Sequence, residues 1–257
     1  MKTYWRRNMT DRVLNQEVTA RVLLTGASSG IGQAIAKKLV ERNYLVYGIG
    51  RDFGHTDRNL LEHSLFHMAE CDLLDQKAVE QMLEGIQEEV GRDGIDILIN
   101  NAGCAWYGLH EEVSPQKIHD MVRVNLEVPM ILTQHFLRTM KEKKHGVILN
   151  IASVTGSHFA NPHGAAYGAT KAGLLSFGRS VFEEARKYGV KVTTILPDMT
   201  DTDLYRNADF TADDDEMARL TANDVAETVL FAVNQREGMV VSDITVKPQF
   251  HRIKKKK

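Results

Sequence analysis

Short apolar runs alternate with longer amphipathic stretches along most of this chain. The runs at 22–25, 45–49, 64–68, 95–99, 147–151, 192–196 and 244–246 are strand-sized and rich in Val, Ile and Leu. Most lack strict polar alternation, which is the pattern of strands covered on both faces of a parallel sheet. Between them the apolar positions recur at helical spacing, as with Ala78, Val79, Met82, Leu83, Ile86 and Val90 behind Asp75. Ser114 with Pro115, and Thr221 with Asp224 three residues on, read as helix starts with a cap or capping box. The alternation predicts an α/β fold: a doubly wound, mainly parallel, Rossmann-like sheet flanked by helices. No repeat, low-complexity segment or linker divides it, so a single domain is expected over 21–250. Residues 1–20 are polar and aperiodic and are expected to be an arm. Residues 251–257, ending in four lysines, are expected to be a solvated basic tail.

Composition narrows the function. The 257 residues are 43% hydrophobic, enough to bury a large core, and 32 basic against 34 acidic side chains leave a net charge of -2. That balance gives no field for gathering nucleic acid or an anionic membrane, so neither is an expected partner. No apolar run approaches the ~20 residues that span a bilayer, and the N-terminus lacks the greasy core of a signal peptide. Cys71 and Cys104 are too few for a disulfide framework, and neither they nor the histidines form a credible metal site. A cytoplasmic protein without a metal is expected.

The first strand runs into Thr25-Gly-Ala-Ser-Ser-Gly-Ile-Gly32 and then a helix. Glycines at 26, 30 and 32 let the backbone turn tightly and approach a pyrophosphate, whose charge the free N–H groups and dipole of the helix start would meet. A sharp turn without a ligand is the plainer alternative. This octapeptide, Asn100-Asn-Ala-Gly103 after a later strand, and Tyr167-Gly-Ala-Thr-Lys171 together resemble the short-chain dehydrogenase/reductase family, over about residues 21–202. The resemblance implies a nicotinamide-dependent oxidoreductase. It places Gly26, Ser28, Ser29, Gly30, Ile31 and Gly32 around the phosphates and ribose, Asp72 and Leu73 at the adenine, and Asn101, Ala102 and Gly103 on the adenosine side. Asp72 could equally cap a turn, and the asparagine pair could tie strands together.

In the family an acidic residue at the tip of the second strand favours NAD, and a basic residue just beyond favours NADP. Here Gly50 occupies the tip and Arg51 follows, so NADP is expected ahead of NAD: arginine grips a phosphate bidentately. Asp52, 20 residues after Gly32, is the competing candidate for the ribose hydroxyls.

Tyr167 and Lys171 are four apart and share one helix face. Bringing a phenol from pH 10 towards neutrality takes roughly 4 kcal/mol. A cation about 4 Å away at an effective dielectric of ~20 supplies a similar amount, so Lys171 and oxidised nicotinamide together are expected to lower Tyr167. The tyrosine would then give or take the proton while hydride moves to or from nicotinamide. By the resemblance, Ser153 hydrogen-bonds the reacting oxygen and Asn125 completes the catalytic set. Pro129 has no N–H to offer the Asn125 carbonyl, which is expected to hold a water linking Lys171 to solvent.

Pro197-Asp-Met-Thr-Asp-Thr202 resembles the family's nicotinamide segment, with Thr200 and Thr202 as carboxamide partners and Asp198 in place of the usual glycine. Residues 203–220 read as a small polar lid. Trp106, His158, Phe159, Met199 and Tyr205 are pocket candidates. The expected substrate is a small-molecule alcohol or carbonyl, the ending Val-Ser-Asp-Ile-Thr-Val-Lys-Pro248 resembling the branch acting on small 3-hydroxy acids. The helix face over 165–185 is expected to join a partner helix in a homodimer or homotetramer. The competing readings are a cofactor-binding regulatory or scaffold protein without turnover, and a related reductase or epimerase.

Overall fold

The structure is a computed structural model that describes residues 18–157 and 160–256. Most of the expected arm, together with His158, Phe159 and Lys257, lies outside the described residues. Seven strands form one sheet: β1 (Arg21–Thr25), β2 (Leu45–Gly50), β3 (Phe66–Glu70), β4 (Ile97–Asn100), β5 (Gly146–Ile151), β6 (Val190–Pro197) and β8 (Asp243–Val246). Their order is β3-β2-β1-β4-β5-β6-β8, and every neighbouring pair is parallel. Parallel pairing requires a crossover between strands, and the amphipathic segments supply it.

The helices are α1 (Gly30–Val40), α2 (Arg58–Leu61), α3 (Gln76–Val90), α4 (Pro115–Val122), α5 (Val128–Lys143), α6 (Ala165–Ala185) and α7 (Ala222–Val233). Their starts follow from local chemistry. Asp75 accepts hydrogen bonds from the Lys77 and Ala78 N–H groups, and Thr221 forms a reciprocal capping box with Asp224. Val79, Met82, Leu83, Ile86 and Val90 bury the expected face of α3. Leu23, Leu98 and Leu149 lie at the centre of the core, inside the sheet.

The chain winds from β1 outward to β3, then crosses to β4 on the other side of β1. That reversal opens a crevice beyond the C-terminal ends of β1 and β4, where ligands of such sheets bind.

Two expectations need correction. Strands β3 and β4 begin two residues later than their apolar runs. Leu65 and Ile95 are buried, but β3 runs on through Glu70 because its register pairs Glu70 with Gly50. The residues expected as a solvated tail include β9 (Ile253–Lys255), which pairs antiparallel with β7 (Phe210–Ala212) inside the expected lid. Three residues per strand carry too little period for a sequence pattern to reveal the pairing.

Candidate active site

The turn after β1 requires its glycines. Gly26 has φ +70°, and a Cβ there would lie 2.9 Å from the Ala102 Cα. A Cβ on Gly32 would lie 1.9 Å from the Gly26 carbonyl oxygen, which only glycine avoids. Ser29, at the N-cap of α1, makes no side-chain cap hydrogen bond, and the first turn carries no acidic residue. The leading N–H groups therefore point uncapped into the crevice, a donor set that fits a pyrophosphate. Ser28 is half-buried, with its hydroxyl beside Gly50, and Ile31 is half-buried at the crevice edge.

Asn101 braces this turn. Its Nδ2 donates to the Thr25 carbonyl at 2.9 Å and the Gly26 carbonyl at 3.3 Å, while the Asn101 and Ala102 N–H groups both donate to Thr25 Oγ1 at 3.0 Å. Its side chain thus ties β4 to β1. Asp72 accepts the Leu74 N–H at 3.0 Å within its own turn, and Leu73 is buried. Arg51 is exposed beyond the β2 tip, yet its charge is felt at the Cys104 thiol. Asp52 accepts the Gly54 N–H at 2.7 Å. A Cβ on Gly50 would meet Phe53 and Ser28 atoms at 2.9 Å, so the strand tip has no room for a side chain.

Four expected residues converge at the C-terminal ends of β4 and β5. Tyr167 and Lys171 lie one turn apart on α6, each 3% exposed. The Ser153 hydroxyl lies near enough to the Tyr167 phenol to favour its ionised form. The Ser153 hydroxyl also accepts from Thr155 Oγ1 at 3.0 Å. Asn125 is fully buried: Oδ1 accepts the Cys104 N–H at 2.9 Å, and Nδ2 donates to the Cys104 carbonyl at 2.9 Å and to Thr170 Oγ1 at 3.1 Å. It lies in a π-helical turn, Arg123–Glu127, where the Val128 N–H bonds the Arg123 carbonyl. The exposed backbone of Gly103 faces this group, with Asn125 Oδ1 and Lys171 Nζ each 3.5 Å from where its Cβ would be.

Without the oxidised nicotinamide that shares in the expected lowering, Tyr167 is raised in the protein alone. Lys171 Nζ donates to the Ile151 carbonyl at 2.8 Å and sits 5.8 Å from the Tyr167 ring centroid. Burial pushes the phenol well above its usual range, Tyr205 and Cys104 add to the rise, and the Ser153 hydroxyl opposes it. Burial also lowers Lys171 to about 8. Desolvation penalises the charged form of each and is the largest cause of both shifts. At neutral pH the phenol is protonated, ready to act as an acid.

Pro197 ends β6. Thr200 is buried, with its hydroxyl donating to the Asp198 carbonyl at 2.9 Å, and Thr202 Oγ1 accepts the Leu204 N–H at 3.4 Å while its methyl faces Gly30. Asp198 turns back to accept the Met199 N–H at 2.8 Å, stabilising the turn that glycine would otherwise make.

The expected pocket residue Tyr205 belongs to an aromatic wall whose other members carried no sequence signal. Tyr107 is its centre, with ring centroids 5.9 Å from Tyr167, 6.1 Å from Tyr205 and 5.0 Å from Phe210. Its position three residues after Ala-Gly-Cys104 was the only local cue. Among the described residues, no group of three or more His, Cys, Asp or Glu side chains could hold a metal ion.

The family described as short chain dehydrogenase matches residues 20–212. Serine 3-dehydrogenase of Rhizobium radiobacter is 32% identical over 239 residues, covering 90% of this chain and 94% of its own length. Among solved structures, serine dehydrogenase from Escherichia coli is 28% identical with a TM-score of 0.76, over 89% of this chain and 97% of that one. A metagenomic short-chain oxidoreductase in complex with NADP is 28% identical with a TM-score of 0.75, over 91% of this chain and 98% of that one.

Proposed function

Because this chain belongs to the short-chain dehydrogenase/reductase family of oxidoreductases, we propose that it interconverts a secondary alcohol and a carbonyl using NADP, with Tyr167 as acid and base. The observation that carries this reading is the convergence of Ser153, Tyr167, Lys171 and Asn125 beside the uncapped glycine turn. Bound nicotinamide supplies or takes the hydride. In the reducing direction Tyr167, protonated and shielded from water, gives its proton to the substrate oxygen. Ser153 orients that oxygen through its hydroxyl, which lies beside the phenol. The Lys171 ammonium returns the proton, and the Asn125 carbonyl, which Pro129 cannot serve, holds a water connecting Lys171 to solvent.

Gly26, Ser28, Ser29, Gly30, Ile31 and Gly32 hold the phosphates in this reading, Asp72 and Leu73 border the adenine, and Thr200 and Thr202 meet the carboxamide beside Pro197. The preference for NADP rests on Arg51 and on the closed β2 tip at Gly50. Asp52 is already engaged in its own turn, which leaves the ribose without an acidic partner there.

For substrate we propose a small 3-hydroxy acid, the class to which the serine named for two similar proteins belongs. Arg206 suits its carboxylate. The guanidinium is felt at Cys104, and its own hydrogen bond is to the Asp203 carbonyl at 3.3 Å. A homodimer or homotetramer would form across α5 and α6, where a groove of about 600 Å³ is lined by Met130, Leu137, Phe177, Val181 and Tyr188. The proposed location is the cytoplasm, consistent with two free cysteines and with the lack, among the described residues, of a helix long and apolar enough to cross a membrane.

The test is transfer of label from nicotinamide C4 to product, measured with NADPH and NADH across small 3-oxo acids, aldehydes and ketones. Tight NADPH binding without transfer to any of them would sink the reading.

A further inference from the structure

We infer that the basic C-terminal segment, residues 250–256, braces the lid from its outer side, with Lys256 a positioning residue that holds the aromatic wall against Tyr167. This rests on the oxidoreductase reading above for its catalytic consequence, though not for its structural part.

The segment is fastened to the lid along its length. Phe250 N–H donates to the Met217 carbonyl at 2.9 Å, β9 pairs with β7 so that Lys255 opposes Phe210, and Lys256 N–H donates to the Asp209 carbonyl at 2.8 Å. Charge complements the main chain. The lid carries Asp213, Asp214, Asp215 and Glu216 in succession. Arg252 pairs with Asp215 at 3.3 Å, and Lys254 pairs with Asp214. Such exposed pairs are individually weak. Here they reinforce a ladder of three residues per strand that would be marginal by itself.

Lys256 does something different from its neighbours. Its ammonium donates to the Tyr205 carbonyl at 2.6 Å and the Arg206 carbonyl at 3.2 Å, near the end of the short helical turn Asp203–Asn207. The Tyr205 carbonyl also accepts the Ala208 N–H at 3.0 Å, so the ammonium adds a charged second donor at the carbonyl end of the turn. It thereby fixes the backbone bearing Tyr205, while the strand pair fixes Phe210. Those two rings lie 5.5 Å apart, and both pack on Tyr107, whose ring is 5.9 Å from that of Tyr167. The far end of the chain is thus connected to the catalytic phenol through one ammonium and three rings. The wall ends against the Tyr167 ring where the reaction is proposed to occur, so its placement is expected to set binding more than the chemical step.

The experiment compares the full chain, Lys256→Met, Lys256→Arg and a chain ending at Gln249. It reads hydrogen exchange over residues 203–212, NADPH affinity, and KM and kcat for the carbonyl found to turn over. Lys256→Met is expected to speed exchange over 203–212 and raise KM about five- to tenfold, the loss of a charge-assisted hydrogen bond. NADPH affinity and thermal midpoint should not change. Lys256→Arg should restore most of the effect, and the shortened chain should exceed it. Should the shortened chain fail to fold, the two point variants decide. Unchanged exchange in Lys256→Met, or faster exchange with an unchanged KM, overturns the inference. If the wild type turns over none of the carbonyls, the oxidoreductase reading fails separately, and exchange alone decides whether Lys256 holds the lid.

Discussion

Lys171 presents its ammonium to the Ile151 carbonyl at 2.8 Å while lying 5.8 Å from the centroid of the Tyr167 ring one turn earlier on the same helix. Both side chains are buried, so the shared pocket penalises the charged form of each. The phenol stays neutral, and the ammonium is held close to its own titration point.

Replacing Tyr167 with Phe keeps the ring and its contact with Tyr107 but removes the proton. Turnover is expected to fall about 10²- to 10⁴-fold, with NADPH affinity within a factor of about three, since the phosphate turn is untouched. Stopped-flow hydride transfer beside a binding titration checks both. Turnover retained in the variant would remove Tyr167 from its role.

Lys171 titrates at about 8 in the folded protein against 10.5 ordinarily. Between those values the unfolded chain binds more protons, so this group's contribution to stability rises with pH over that window and is lost as pH falls through about 8. Lys171→Met lacks the buried charge. Its stability relative to wild type is expected to decline by roughly 3 kcal/mol between pH 7 and pH 10.5. Urea unfolding of both proteins across that range reads the difference directly, and a pH-independent difference would contradict it.

Gly50 bears on cofactor choice. An acidic residue placed there would push its Cβ to 2.9 Å from Phe53 and Ser28. Gly50→Asp should therefore weaken binding of both NADPH and NADH rather than convert the preference. Arg51→Ala, by contrast, should weaken NADPH about tenfold while sparing NADH. Parallel fluorescence titrations distinguish these outcomes.

Asn125 satisfies both main-chain groups of Cys104 from a fully buried position. Asn125→Leu, of similar size, would leave those groups and the Thr170 hydroxyl short of partners. A loss of about 2–4 kcal/mol is expected in denaturant unfolding. A change under about 0.5 kcal/mol would mean the surroundings relax to satisfy Cys104 without it.

Much of the fold was legible because its signals are local. Each of the seven sheet strands lies within two residues of an apolar run, and the glycine turn and the caps at Asp75, Ser114 and Thr221 were written in short stretches. The site was legible where a motif fixes spacing, as with Tyr167 and Lys171. Tyr107 and Phe210 were missed because little near them in the chain marks them, beyond the nearness of Tyr107 to Ala-Gly-Cys104. Their meeting depends on β4, α6, the lid and the C-terminal segment arriving at one place. The tail's lysines are exposed as expected, but its pairing with the acidic lid was unreadable for the same reason.

By itself the sequence determined the alternation of strand and helix, the turn that admits a phosphate, and the pairing of a phenol with an ammonium on one helix face. Each follows from backbone sterics and periodicity over a few residues. Only the tertiary structure decided that β9 pairs with the lid, that Gly50 is enclosed, and that burial raises Tyr167 in the protein alone. Those depend on how completely distant segments exclude water from one another, and desolvation is summed over the whole surroundings of a group rather than over its neighbours in the chain.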